Sequence, residues 1–478
     1  MNYANAPAYK GDVHTDTLNT MMSGFIGNTF YVDKFTLTNE IINLFNEVDV
    51  EFLAKCAVYA REYGYIREPP SVALAVISTK DPQLFRKIVH RVLKNPKDWQ
   101  RFIDICRSNL IRRGVGRSIK QEIIKALTDL SVYHAMKYPK AVGDMINITH
   151  PPESVNEKVI GYVKKHDYGV SPETTALSEL QNCSPRYAAK LIVEHKLPYE
   201  AVTRIIGSNT DAWTALSKTT PHMNLIRNLR NYYNHGVFND TNNIENVSNK
   251  IQNPDMVRRS MLFPFRYYQA YKMLSECYPN IFLLKSLEKA MMSSLDNVPT
   301  CKDTIAIGID ISGSMDSPVN DNSDISYCEV AALFGSTIAN KSYSTIILPF
   351  NSYVQHIDVS HISIMDNVRK IVKKCGGGTS LAAPVEYLYD KDIHVDKIVL
   401  ITDNMEWCGS VIECIRQYLM RYPETHVYFI TLGDYRKYPT PLDYPNCHYI
   451  FGWSDNVLRY VLDSDVAKQI DVVNAIDL

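Results

Sequence analysis

The sequence contains no apolar run near the ~20 residues that a membrane-spanning helix needs, so no passage through a bilayer is expected. Its first twenty residues are polar and hold no apolar signal-peptide core, which predicts a cytoplasmic protein. None of the ten cysteines falls in a Cys-x-x-Cys pair. That spacing argues against a zinc ribbon and a disulfide framework, and reduced, mostly buried thiols are the preferred reading. Gly-x-Ser-x-Gly, P-loop and His-Glu-x-x-His strings are absent, so no catalytic activity is expected. His134, His150, His195 and His222 share no metal-ligand spacing and read as structural.

Excess charge is also missing overall, since the net value is -1, but the balance hides an asymmetry. Residues 1–298 carry 37 Lys/Arg against 29 Asp/Glu, and the remainder carries 14 against 23. A split of this kind points to one half that faces a polyanion. It is sharpest over 86–125, where twelve basic residues meet only Asp98, Asp104 and Glu122. Within that stretch Arg112, Arg113 and Arg117, with Arg101, Arg107 and Lys120, are the candidate contacts for such a polyanion. Gly114 and Gly116 let backbone approach closely, and guanidinium groups can clamp phosphates bidentately. Arg227, Arg230, Arg258 and Arg259 are secondary candidates. Tyr232, Tyr233, Tyr267 and Tyr268 lie at helical spacing and read as core or rim more readily than as base-stacking platforms.

At 478 residues the chain is long enough for two or three domains. Apolar residues at three-to-four spacing predict helices through 36–290: 39–62, 70–78, 82–93, 98–108, 117–137, 139–148, 172–180, 184–194, 199–206, 211–217, 223–233, 256–277 and 281–295. Paired helices at about 40-residue spacing suggest a HEAT-like solenoid without a clean sequence repeat. The Asn-rich stretch 236–254 reads as an exposed loop. Past Asn297-Val298-Pro299-Thr300 the pattern changes to strands alternating with helices, the mark of a doubly wound sheet. Strands are predicted at 304–309, 344–349, 397–401, 426–431 and 448–451, and helices near 326–339, 365–374, 381–389, 410–421 and 455–463. The domains expected are therefore 1–298 and 299–478.

The apolar run Thr304–Ile309 ends in Asp310-x-Ser312-x-Ser314. A buried strand of an open α/β sheet delivers such side chains to the end where ligands bind. One carboxylate and two hydroxyls form a hard-oxygen half-shell suited to Mg²⁺ or Mn²⁺. Two further pieces can complete it: Thr379 after the run Gly376-Gly377-Gly378, and Asp403 after the apolar strand Val399–Thr402. Asp316 and Glu406 lie close by in sequence. In order and context, Asp310, Ser312, Ser314, Thr379 and Asp403 match the metal-ion-dependent adhesion site of von Willebrand factor A domains. Asp310-Ile311-Ser312 is not a phosphatase nucleophile loop, since Ser312 stands where the second Asp would be.

A basic helical half joined to an A-like domain resembles the Ro autoantigen family, whose helical part is the TROVE domain. The strings that carry the resemblance are Arg67-Glu68-Pro69-Pro70, Gly116-Arg117-Ser118-Ile119-Lys120, Trp213-Thr214-Ala215-Leu216 with Leu225-Ile226-Arg227-Asn228-Leu229, Phe263-Pro264-Phe265 and Thr402-Asp403-Asn404. The resemblance implies a HEAT-like α-helical repeat ring, followed by a Rossmann-like von Willebrand factor A domain, and a monomeric ring as the assembly. It implies a non-enzymatic ribonucleoprotein scaffold for small non-coding and misfolded RNAs, with single-stranded 3′ ends in the ring cavity, acting in RNA quality control. It also implies one open metal position for an acidic residue of a protein partner. Where the family's outer surface is rich in His, Lys and Arg, this chain has Val142 and Asn147, which counts against binding of a Y-type RNA there. The competing expectation is a Mg²⁺-dependent protein-interaction module with no RNA role.

Overall fold

The computed structural model describes all residues except 1–10, 24–33, 263, 297, 320–323, 360–362, 404–409, 434–437, 442, 445, 453–454 and 463–468. Two compact units are present, Met1–Val92 together with Val298–Leu478, and Leu93–Asn297. The junction near 298 coincides with the change in sequence pattern. The first 92 residues, however, fold with the C-terminal part and not with the helices that follow them.

The first unit is built on a five-stranded, wholly parallel sheet: β1 Cys301–Asp310, β2 Ser342–Phe350, β3 Lys397–Thr402, β4 His426–Thr431 and β5 Cys447–Phe451, in the order β2-β1-β3-β4-β5. Central strands of such a sheet are covered on both faces, which is why β1 and β3 read as unbroken apolar runs. On one face Ala306, Ile398, Leu400, Val427 and Phe429 pack with Val385, Leu388, Ile415 and Tyr418 from the helices Ala382–Asp390 and Val411–Arg421. On the other, a Cβ added at Gly335 of the helix Tyr327–Lys341 would lie 2.5 Å from Ile309 Cδ1, so glycine there permits close helix–strand packing. That helix starts in a reciprocal cap: Ser326 N–H donates to the Glu329 carboxylate (2.8 Å) and Glu329 N–H to Ser326 Oγ (3.3 Å).

N-terminal helices complete this unit. Gly452, just past β5, has φ +79°, and a Cβ there would fall 2.0 Å from the carbonyl oxygen of Met22, in the helix Val13–Ser23. Tyr438 donates its hydroxyl to Asp16 (3.0 Å). Lys55, in the helix Val50–Glu62, donates to the Asn474 carbonyl at 3.1 Å, and Arg91 reaches the Asp477 carbonyl.

The second unit is helical, from Pro96–Arg107 to Ile281–Ser293. In both units, several predicted helices are two. Residues 39–62 divide at Asp49, whose carboxylate accepts from Phe52 N–H and starts a new helix. Residues 117–137 divide at the N-cap Ser131, and 223–233 at Asn228. Residues 256–277 divide between Pro254–Ser260 and Pro264–Cys277. Apolar spacing continues across these breaks, and at Asp49 and Ser131 the side chain caps the new helix. The stretch 236–254, expected to be a loop, contains the helix Thr241–Ile251. Asp240 caps it, and Ile244, Val247 and Ile251 are buried at helical spacing among polar neighbours. The helices Val13–Ser23 and Glu157–Lys165 were not expected.

Many helix C-termini are completed by side chains from later elements. Lys250 donates to the carbonyls of Ser217 (3.0 Å), Lys218 (2.8 Å) and Thr220 (2.8 Å) at the end of Thr210–Thr219. Asn156 Nδ2 donates to Leu127 (2.9 Å) and Leu130 (2.9 Å) past Arg117–Thr128. In the first unit Lys80 donates to Asn46 (2.5 Å) at the end of Lys34–Glu47. A cation on terminal carbonyls also complements the helix dipole. Burial brings the Lys250 ammonium down to about 8, which leaves it charged at neutral pH.

Beside it His222 is buried, with Nε2 3.1 Å from the Tyr267 hydroxyl. Desolvation first, and then the Lys250 charge, push its pKa down to about 4. The unfolded chain, with an ordinary histidine near ~6.5, therefore takes up the proton first as pH falls. Stability from this group is complete above about pH 6.5 and is lost toward pH 4, a change of about 3 kcal/mol. Denaturant unfolding of the wild type and His222→Phe across that range should give curves that converge at low pH. Parallel profiles would show that His222 is not held neutral.

Candidate metal centre and basic loop

β1 and β3 are neighbours, with Ile309 opposite Ile401, so Asp310 and Asp403 follow each other across the C-terminal edge of the sheet. Asp310 Oδ1 accepts from Ser312 N–H (2.8 Å) and Oδ2 from the Thr402 hydroxyl (2.6 Å). Ser312 begins a single 3₁₀ turn, Gly313–Asp316, which returns Ser314 Oγ to within 3.4 Å of Ser312 Oγ. The glycine loop is laced to this turn: Gly376 N–H donates to the Ile311 carbonyl (2.7 Å) and Gly313 N–H to the Gly377 carbonyl (3.0 Å). Gly376 and Gly377 have φ of +137° and +90°, conformations open to glycine and strained for other residues. Thr379 follows directly and is buried.

All five expected metal-site side chains are nearly closed off from solvent: Asp310 0%, Ser312 1%, Ser314 6%, Thr379 2% and Asp403 1% exposed. Burial raises the Asp310 pKa, and its bonds to Thr402 and Ser312 act against that rise. Its recorded partners are hydroxyl and amide donors, not a lysine or arginine. Two carboxylates and three hydroxyls with so little water are a donor set that fits a hard divalent cation, and not one suited to soft metals. Among the described residues no cluster of three His, Cys, Asp or Glu side chains is placed to hold a metal, so any cation here must draw on the hydroxyls. Asp316 is exposed, and Glu406 lies outside the described residues.

Two supporting residues escaped the sequence reading. Thr402, the last residue of β3, is the hydroxyl that orients Asp310. Asn351 donates Nδ2 to the Gly376 carbonyl (2.9 Å) and so carries the glycine loop. Its signal was its position immediately after β2, at the same sheet edge as Asp310 and Asp403.

The basic stretch falls on both units. Arg91, in the first, is tied to Glu62 by two bonds, at 3.0 and 2.8 Å. In the second, Pro96–Arg107 and Arg117–Thr128 are joined by the irregular segment 108–116. Arg107, Arg113 and Arg117 are exposed there, and Lys120 is half-buried. Arg112 is turned back onto its own loop: Nε donates to the Gly114 carbonyl (2.7 Å), and a Cβ at Gly116 would lie 2.8 Å from its Nη2. Arg101 is half-buried, with Nη1 enclosed and without a hydrogen-bond partner among the described residues. Of the three acids in the stretch, Asp98 and Glu122 are each 1% exposed, Glu122 pairing with the exposed Lys125 (2.8 Å), and Asp104 is exposed. The unit as a whole, 93–297, has 28 Lys/Arg against 19 Asp/Glu, leaving 23 against 33 in the other.

Of the secondary candidates, Arg227, Arg230, Arg258 and Arg259 are exposed, and Arg258 is paired with Asp255. Tyr232 and Tyr267 are core residues, and Tyr233 stacks on Tyr278. Val142 is fully buried, whereas Asn147 is exposed and accepts from Lys164 (2.7 Å). Among the described residues no helix is long and apolar enough to cross a membrane.

Comparison with known proteins finds two domains. Residues 190–302 match the TROVE domain, and residues 304–426 match the Ro60 vWA domain. The crystal structure of Deinococcus radiodurans RO (RSR) protein superposes with a TM-score of 0.67 at 17% identity, over 95% of this chain and 100% of that one. At that identity the likeness shows a common fold.

Proposed function

From its membership of the Ro family, carried by a TROVE domain followed by a Ro60-type vWA domain, we propose that this chain is an RNA-binding ribonucleoprotein scaffold. The observation that supports the reading is the segment 107–120, where Arg107, Arg113 and Arg117 are exposed and Lys120 is half-buried. Flexible RNA presents phosphates at irregular spacing, and exposed arginines at and between two helix ends suit such a target. The RNAs proposed are small non-coding and misfolded species held by single-stranded 3′ ends, in RNA quality control. Burial of Val142 argues against a Y-type RNA on that helix. No catalytic role is proposed.

The buried oxygen cluster favours a second activity in the same chain: Asp310, Ser312, Ser314, Thr379 and Asp403 would hold Mg²⁺, with Mn²⁺ as a substitute. A bound cation would supply a Lewis-acidic position for a carboxylate from a protein partner. In the alternative reading this is the only function and RNA plays no part.

Filter binding with a stem carrying a single-stranded 3′ tail, against the same stem with a blunt end, separates the readings. Tail-dependent binding that weakens steeply with salt is expected. No binding at low salt would sink the RNA reading and leave the cation-dependent module.

A further inference from the structure

Single-strand recognition combines phosphate contacts with aromatic rings on which unpaired bases stack, and the basic loop supplies only the first. Tyr232, Tyr267 and Tyr268, the tyrosines at helical spacing, are buried. Among the described residues of the helical unit, four large aromatic side chains are exposed: Tyr133, Tyr187, Tyr233 and Phe282. Three of them are engaged. Tyr133 meets the His134 ring edge-on (5.8 Å), Tyr187 donates its hydroxyl to Glu179 (3.3 Å), and Tyr233 stacks on Tyr278 (4.7 Å). Phe282 is 67% exposed, and it is the one exposed phenylalanine among the described residues of the whole chain.

Phe282 is the second residue of the helix Ile281–Ser293. Its N–H donates to the N-cap side chain of Asn280 (3.1 Å), as does that of Leu283 (3.2 Å), so the backbone that carries the ring is fixed. Leu283, Ser286, Leu287, Ala290 and Met291 form the buried face of this helix. Phe282, Lys285, Lys289 and Met292 follow one another at three- and four-residue steps on the opposite side, and all four are exposed. The two lysines stand ~6 Å apart along the axis. Neither has an ion-pair partner among the described residues. The one acid of the helix, Glu288, is half-buried.

We propose that this face is a stacking site for an unpaired nucleotide of RNA: a base lies on the Phe282 ring, and Lys285 and Lys289 meet phosphates of the same strand. A phenyl ring carries no hydrogen-bonding atom, so the site takes any base and reads only that one face of it is free. Inside a duplex both faces of a base are covered by its neighbours. An apolar protein surface laid on the ring would also cover two unpaired ammonium groups, at a cost in desolvation. A strand of bases and phosphates matches both the ring and the charge, and the helix belongs to the unit with the basic excess. The inference rests on the RNA reading above and adds to it the element that separates a single strand from a duplex.

The test uses the full chain and a stem with a single-stranded 3′ oligoadenosine tail, with the blunt stem as control. Phe282→Ala should weaken binding of the tailed RNA about tenfold, the loss of one base–aromatic stack, and leave blunt-stem binding and the salt slope unchanged. Phe282→Tyr keeps the π face and should bind as the wild type does. Lys285→Gln combined with Lys289→Gln should lower the slope of log affinity on log salt by about 1.4. A readout that needs no variant is photocrosslinking of the wild type to a tail holding one 4-thiouridine, expected in the peptide that contains Phe282. Equal binding of tailed RNA by wild type and Phe282→Ala, or equal losses on tailed and blunt RNA, would overturn the stacking site and leave the RNA reading in place. An RNA-free dimer that Phe282→Ala disperses in sedimentation would assign the face to a second copy of the chain and overturn it as well. A wild type that binds neither RNA overturns both readings.

Discussion

Reversal of charge at Arg113, Arg117 and Lys120 to glutamate is expected to weaken binding of a 3′-tailed RNA on the order of a thousandfold, about tenfold for each lost phosphate contact. Arg112 is left out deliberately. Its guanidinium holds the Gly114 carbonyl and lies over Gly116, so a change there would alter the loop as well as its charge. Arg113 and Arg117 are exposed and Lys120 is half-buried. Replacement at these positions acts on the ligand without dismantling the segment. The same variant should flatten the dependence of log affinity on log salt by about 2, since each single-strand phosphate contact contributes about 0.7. Matching losses on tailed and blunt RNA would mean that the loop supplies charge without reading the tail. An unchanged salt slope would remove this loop from the interface.

Addition of Mg²⁺ or Mn²⁺ to the metal-free protein is expected to raise unfolding free energy by about 4 kcal/mol at a thousandfold excess over the dissociation constant. Asp310→Asn and Asp403→Asn should erase that increment. In metal-free buffer the first of them should be neutral or mildly stabilising. Asp310 is wholly buried and, among the described residues, is met by amide and hydroxyl donors, so its charge is an electrostatic cost until a cation arrives. The pair of outcomes is diagnostic: a structural carboxylate would destabilise when changed, with or without metal. Thermal unfolding curves of wild type that coincide with and without Mg²⁺ and Mn²⁺ would rule out the site.

Strands were the most legible elements, because β1, β3 and β4 are buried on both faces and their composition announces it. The metal-site residues were found because each stands at the end of such a strand or in a glycine loop, positions with strong local signals. Thr402 and Asn351 were missed since their roles depend on which strand lies beside which, and strand order is not written in any local pattern. The helices of 36–290 were found as material but not as units. Asp49, Ser131 and Asn228 interrupt the axis without interrupting the apolar spacing. Thr241–Ile251 was hidden by its asparagines, although three buried residues at helical spacing carry it. The allegiance of residues 1–92 to the sheet rests on contacts such as Gly452 on Met22, more than 400 positions apart, which no window of sequence contains.

The side chains that finish earlier helices give the fold a direction in time. On a growing chain, the carbonyls at the end of Thr210–Thr219 stay open until Lys250 has been synthesised, and those at the end of Arg117–Thr128 until Asn156. Each helix is therefore complete only after the chain has passed through its successors. A fragment cut before the later residue leaves those acceptors to water, so a chain ending before Lys250 lacks the side chain that finishes Thr210–Thr219.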